Sequence, residues 1–320
     1  MLLRLLLLLI VLLIEAQSAE AAPKPVEIPR SQIIALENSV TGGLYELYVK
    51  LPESYVFESG IFESSVSEGG VSGTSDSEST VSKDNTSNAQ QPALKHYPVI
   101  YTTDADWHMD LLSGTTEFLL PEVIIVGISW QRNMPSNVDY GDSRTYASRF
   151  RDYSFTSHSK PEVQEKYQFG KADAFLRFIQ QDVMPKVEKQ YRVAPNANAY
   201  LGYSMGAGFG AYVLLEAPNT FTHYLLGSPA LSENGLAALK ELEGKTVDQQ
   251  IENANVFVSI GELETSRMEV TQDFVDLLKQ SQRNIAVNGL NVINDSDHTS
   301  AVPETFTSGI RWLKQQIATQ

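Results

Sequence analysis

Between residues 44 and 316, short apolar runs alternate with longer stretches in which apolar residues recur every three or four positions. LYELYVKLP (44–52) alternates as a half-buried strand does, whereas HYPVIYTTDA (96–105) and EVIIVGISW (122–130) are nearly continuous apolar runs, as in strands buried on both faces. Over 171–193, Ala174, Phe175, Phe178, Ile179, Val183 and Val187 recur at helical spacing and predict an amphipathic helix. Strands are predicted at 198–204, 221–231, 255–264 and 284–294, and helices at 205–217, 270–282 and 303–316. Apolar strands alternating with helices predict an α/β fold: a mostly parallel central sheet with helices on both faces.

Two segments break this rhythm. Residues 58–94 are Ser, Gly, Thr, Asn and acids with few large apolar side chains, and hold six acids against one lysine. Such a stretch cannot bury enough surface to offset its ordering entropy, so a disordered insertion between two strands is expected. At the N-terminus, Arg4 precedes an unbroken apolar run from Leu5 to Ile14, and Ala19-Glu20-Ala21 follows as a small-x-small cleavage pattern. This predicts a signal peptide over residues 1–21, too short to stay as a membrane anchor, and hence export to a periplasm or the medium. The remaining chain, 22–320, reads as one domain.

Of the 320 residues, 42% are hydrophobic and 20% charged, enough for one large core. There is no cysteine, which excludes disulfides and a lipid-bearing cysteine. The net charge is −15, and loss of Arg4, Glu15 and Glu20 with the leader leaves −14. Nucleic acid and anionic membranes are poor partners for such a surface, because phosphate binding needs clustered Lys and Arg. A small-molecule substrate is expected, with neither metal nor cofactor.

The candidate chemistry starts at Gly202-Tyr203-Ser204-Met205-Gly206, a G-x-S-x-G pentapeptide. The pattern is short enough to arise by chance; its place between a predicted buried strand and a predicted helix gives it meaning. A sharp strand-to-helix turn lifts a serine oxygen above the sheet, and the helix start aims backbone N–H groups at it. A serine hydroxyl needs a base. Of the five histidines, His298 in NDSDHTSAVPE lies downstream, after the last strand, where the chain order serine, acid, histidine requires one. His96, His108, His158 and His223 stand elsewhere. The acid is sought in GELETSRME, where Glu264 is preferred over its rival Glu262 and over Glu269; Asp297, beside the base, is a weaker candidate.

These residues, with YELYVKLPESY, YPVIYTTDAD, RFRDYSFT, FIQQDVMPKVEKQYRV and the terminal DHTSAVP, resemble an esterase family of α/β-hydrolases. That family includes ferric-siderophore esterases, S-formylglutathione hydrolase and mycolyltransferases, and the likeness runs from about residue 40 to the C-terminus. The resemblance implies Ser204 as nucleophile, His298 as base and Glu264 as acid, with an oxyanion hole made by the N–H groups of Met205 and Asp106. The chain departs from the family in having Asp104-Ala105-Asp106 for a D-G-x turn, and Ser204-Met205-Gly206-Ala207 for S-x-G-G.

The expected function is therefore that of an exported serine esterase working through an acyl-enzyme, with siderophore-type lactones among the substrates that fit. The alternatives are acyl transfer to a sugar or lipid hydroxyl, or a catalytically silent binding module on the same fold. Trp107, Tyr203 and Arg151 are candidate substrate contacts. Arg132, Arg144, Arg149 and Arg151, in the stretch 130–155, are read either as meeting an acidic or phenolic substrate or as tied down by Asp139, Asp142 and Asp152.

Overall fold

The computed structural model describes residues 25–55, 94–245 and 253–318. The leader over 1–21 and, but for Leu94, the serine-rich stretch 58–94 lie outside the described residues. Eight strands form one sheet: β1 (Ser31–Glu37), β2 (Leu44–Lys50), β3 (Tyr97–Thr102), β4 (Ile124–Ile128), β5 (Val193–Tyr203), β6 (His223–Gly227), β7 (Ala254–Gly261) and β8 (Ile285–Ile293). Their spatial order is β1-β2-β4-β3-β5-β6-β7-β8; β2 pairs antiparallel with both β1 and β4, and the other neighbours pair parallel. This is the expected α/β-hydrolase arrangement, with the carboxyl ends of β3 to β8 on one edge.

Helices cover both faces. On one side, α1 (Ala105–Leu119) packs Met109 and Leu112 beside Phe306, Ile310 and Leu313 of the C-terminal helix (Ala301–Ala318). On the other, Ala172–Phe178 continues through a π-turn at Ile179–Val183 into Met184–Gln190, so the single helix predicted over 171–193 is one stack with a bulged middle. The two halves of the stack are α4 and α5, preceded in the chain by α2 (Ser148–Asp152) and α3 (Pro161–Tyr167); beside the stack lie α6 (Met205–Glu216), α7 (Glu233–Glu243) and α8 (Thr265–Gln280). The C-terminal helix is α9. Ten of the twelve residues of α6 are buried, so it is apolar all round and sits as a central rod under the sheet. Fully buried Phe209, Phe274 and Phe306 each contribute about 1.5–3 kcal/mol through removal of apolar surface from water.

Besides the short α2 and α3, an edge strand and two longer helices go beyond the sequence reading. β1 is an edge strand whose Ile33 is 65% exposed; it is placed by backbone pairing of Ser31 with Lys50 through Glu37 with Leu44 rather than by burial. α1 is not among the helices predicted, and α7 buries Leu236, Leu239 and Leu242 behind a polar exterior. The strand expected over 221–231 spans His223–Gly227, because Ser228 turns out of it with a positive φ of 41°.

At the opposite sheet edge from Ser204, the chain on either side of residues 56–93 is held together. Arg192 donates from Nη2 to the Tyr55 carbonyl at 3.2 Å and from Nε to the Lys95 carbonyl at 3.0 Å, with its guanidinium 4.0 Å from the Tyr55 ring centroid. Ser54 Oγ and Tyr97 Oη add a 2.9 Å hydrogen bond.

Candidate active site

The nucleophile turn follows from three small residues. β5 delivers Tyr203 to the sheet edge, and Ser204 takes φ 55° and ψ −118°, a conformation that costs a residue with a Cβ about 1–3 kcal/mol. The turn persists because its neighbours over-determine it. Ser204 N–H donates to the Gly227 carbonyl at 2.9 Å, while its own carbonyl accepts from Gly208 at 3.0 Å and Ala230 at 2.9 Å. A Cβ at Gly202 would lie 2.5 Å from the Gly206 carbonyl group, and one at Gly206 would strike Thr103 Oγ1. Only glycine lets β5, α6 and the β3–α1 turn meet this closely. Ala207 is fully buried in the core, so its methyl is accommodated where the family carries glycine.

His298 stands in the loop between β8 and α9, which is laced onto the end of β7. Leu263 N–H donates to the Ser296 carbonyl at 3.0 Å, and Tyr203 Oη reaches the His298 carbonyl at 2.7 Å. His298 Nε2 lies 2.9 Å from Ser204 Oγ, and Nδ1 lies 2.6 Å from Glu264 Oε2. A carboxylate only accepts, so Nδ1 carries the proton and donates it; Nε2 then presents its lone pair to the serine hydroxyl.

Glu264 is 7% exposed. Its burial alone would raise its pKa, yet hydrogen bonds from Ser228 Oγ at 2.6 Å, the Gly261 N–H at 3.0 Å and His298 outweigh that and hold the carboxyl below its ordinary value. Arg267 Nη1 is 2.9 Å from His298 Nδ1 and 3.4 Å from Glu264 Oε2. Since the Nδ1 proton is committed to Glu264, Nδ1 offers the guanidinium no lone pair; its acceptors are the Glu264 carboxylate and, at 3.3 Å, His298 Nε2. The rivals are used otherwise. Glu262 accepts from Asp295 N–H at 2.8 Å, Glu269 is exposed, and Asp297 accepts from the N–H groups of Thr299 and Ser300 at the start of α9.

Ser228 was not singled out from sequence. It is fully buried, accepts or shares the Tyr203 phenolic proton at 2.9 Å, and gives its own proton to Glu264. Burial pushes the Tyr203 phenol up to about 12, so it stays a donor. Its single proton spans the His298 carbonyl and Ser228, which makes Tyr203 a brace between base and acid and leaves it no donor for a substrate.

Met205 opens α6 and Asp106 lies in the first turn of α1, so both N–H groups belong to helix starts that lack a carbonyl one turn back. The contact of Gly206 with Thr103 brings these two helix starts side by side. The β3–α1 turn is anchored by Asp104, fully buried with φ 55°, whose carboxylate takes Arg149 Nε at 3.0 Å, Arg149 Nη2 at 2.8 Å and Trp130 Nε1 at 2.6 Å. The Asp106 side chain faces away, accepting from Arg132 Nη2 at 2.7 Å.

The remaining candidates are accounted for one by one. Trp107 is 48% exposed and covers Arg149, 4.7 Å from its ring centroid. Arg151 is bound to Asp152 at 2.7 Å, Gln131 at 2.7 Å and Tyr45 at 3.1 Å. Arg144 donates to the carbonyls of Met134, Pro135 and Val138. Each of the four arginines is therefore engaged within the protein, but only Arg151 by one of the local aspartates first considered. Among the described residues, no cluster of His, Asp and Glu is arranged to hold a metal ion.

The family described as "Putative esterase" matches residues 78–295, more than half of the chain. A ferri-bacillibactin esterase of Bacillus subtilis is 25% identical over 241 residues, spanning 69% of this chain and 80% of that protein. A siderophore triacetylfusarinine C esterase of Aspergillus fumigatus is 27% identical over 148 residues, spanning 45% of this chain and 49% of that protein. Among solved structures, the "BES protein" of Bacillus cereus has the same fold, with a TM-score of 0.65 and 17% identity, covering 92% of this chain and 99% of that one.

Proposed function

The chain belongs to this esterase family and is a hydrolase of ester bonds; on that premise we propose that it works as a serine esterase with Ser204 as nucleophile, His298 as base and Glu264 as the orienting acid. The observation that carries the reading is the line Ser204 Oγ, His298 and Glu264, with contacts of 2.9 and 2.6 Å.

In the first half-reaction Ser204 Oγ attacks the ester carbonyl while its proton passes to His298 Nε2. Charge develops on the carbonyl oxygen, and the N–H groups of Met205 and Asp106 stabilise it; a donor of this kind is typically worth about 10²- to 10³-fold in rate. Glu264 stabilises the imidazolium without taking its proton. The imidazolium then protonates the leaving alkoxide, and the alcohol departs from the acyl-enzyme. Water repeats the cycle: His298 takes its proton, hydroxide adds to the acyl carbon, and the proton returns to Ser204 Oγ as the acid leaves.

The substrate class we assign is siderophore-type esters, supported by the substrates named for the two relatives above. We further assign the protein to an exported location, supported by Arg4, the apolar run Leu5–Ile14 and Ala19-Glu20-Ala21. Ser204→Ala should lower kcat on p-nitrophenyl acetate by about 10³-fold or more while leaving the thermal unfolding midpoint within a few degrees. Retained turnover in a folded Ser204→Ala protein refutes the nucleophile.

A further inference from the structure

A cavity of about 590 Å³ opens beside Met205, the residue that follows the nucleophile. Met205 and Gly208 of α6 form one wall, Ala230 and Ser232 of the β6–α7 link another, and Tyr153, Phe155 and Phe169 its aromatic side. Its remaining polar lining is the hydroxyls of Ser154, Thr156, Ser157 and Ser159, the Asn234 amide and the His158 ring. Lys160 N–H donates to His158 Nδ1 at 3.1 Å, so in the neutral ring the proton sits on Nε2. No lysine, arginine, aspartate or glutamate lines the cavity.

The cations near it are either committed elsewhere or, like the exposed Lys160, stand outside its lining. Arg149 is held in a two-pronged contact with Asp104, Arg151 with Asp152, and Arg144 with backbone carbonyls. Arg267, beside His298, does not line the cavity. The chain as a whole carries −15. A carboxylate or phenolate lodged against the aromatic side would lose part of its water without gaining a fixed counter-ion, which is costlier than burying a hydrogen-bonding neutral group. Meanwhile the side chains of Thr156, Ser157, Ser159 and Asn234 make no hydrogen bond to other described residues and are open to a ligand.

From these features we infer that the cavity admits an uncharged, hydrogen-bonding portion of the substrate, an amide- or hydroxyl-bearing group laid against aromatic rings, and discriminates against anionic esters. The inference narrows the ester class proposed above and rests on Ser204 as nucleophile.

Three substrates test it: p-nitrophenyl acetate, p-nitrophenyl 4-carbamoylbenzoate and p-nitrophenyl 4-carboxybenzoate. The two benzoates match in size and differ by one charge. The carbamoyl ester should show kcat/KM about 10-fold or more above the carboxy ester, and the gap should survive about 0.5 M NaCl, where long-range repulsion is screened. Asn234→Lys, on the exposed rim, should raise kcat/KM of the carboxy ester about 10-fold relative to that of the carbamoyl ester.

Equal kcat/KM for the two benzoates overturns the inference, as does a gap that closes in salt, or turnover of the acetate with neither benzoate accepted. An unchanged ratio between the two benzoates with a folded Asn234→Lys overturns it also. Failure on all three esters, acetate included, strikes instead at the assignment of Ser204.

Discussion

Two buried carboxylates flank the nucleophile strand, and they are satisfied in different ways. Asp104, after β3, is held by a two-pronged guanidinium from Arg149 and by the Trp130 indole. Glu264, after β7, is held by a serine hydroxyl, a backbone N–H and an imidazole, with Arg267 at the longer distance of 3.4 Å. The first pairing fixes a negative charge against a positive one that never releases its proton, so it can only hold a turn in place. The second leaves the carboxylate's main charged partner to be created and destroyed as the imidazole gains and loses a proton. A buried carboxylate is thus not informative in itself; the chemistry lies in whether its partner can change charge.

Replacing each acid by its amide breaks the comparison most directly. Glu264→Gln should lower kcat by about 10³- to 10⁴-fold, because the amide no longer fixes the imidazole tautomer, while urea unfolding at neutral pH shows only a modest loss of stability. Asp104→Asn should do the reverse: it leaves Arg149 buried without its counter-charge, and such a loss costs about 3–5 kcal/mol of stability. An Asp104→Asn protein as stable as the parent, or a fully active Glu264→Gln protein, removes the distinction.

Ser228→Ala sharpens it at a smaller scale. It deletes one neutral donor from Glu264, a contact worth about 1.5–3 kcal/mol when the acceptor is charged, and should lower kcat about 10-fold with KM little changed. Ser228→Thr keeps the hydroxyl and should recover part of that loss if its rotamer fits.

The smallest effect is in the pH dependence of stability. The Glu264 carboxyl lies below its ordinary value in the fold, so the folded state binds the proton more weakly than the unfolded chain does. Its contribution is present in full above the unfolded carboxyl value of about 4.3 and is lost as pH falls through the lower folded value. The stability difference between the parent and Glu264→Gln should therefore shrink on acidification below that point; a difference that grows there contradicts the assigned sign.

Much of this was legible in the chain. Near-continuous apolar runs marked the parallel strands, because strands buried on both faces have no polar side to show. The order Ser204, Glu264, His298 followed from placing each at the carboxyl end of a strand, and the three side chains do meet in one hydrogen-bonded line. What escaped notice depends on contacts without a sequence period. Arg149 finds its partner 45 positions away in Asp104 rather than among the nearby aspartates, and spacing carries no trace of such a pair. Ser228 gains its role from a backbone turn at φ 41°, and the only local hint is the Pro229 that follows. β1 was missed because an edge strand with exposed apolar residues is specified by its partner's backbone.

The clasp of Arg192 on the carbonyls of Tyr55 and Lys95 has a consequence for how this gene can change. Two chain ends gripped by one guanidinium already sit where a short turn could join them, at the sheet edge opposite the catalytic serine. Whatever occupies residues 56–93 can be lengthened, shortened or exchanged between relatives without re-registering a strand. The same spot offers protein engineers a port for grafting a binding peptide or fluorescent reporter, with catalysis as the internal standard for a correctly folded host.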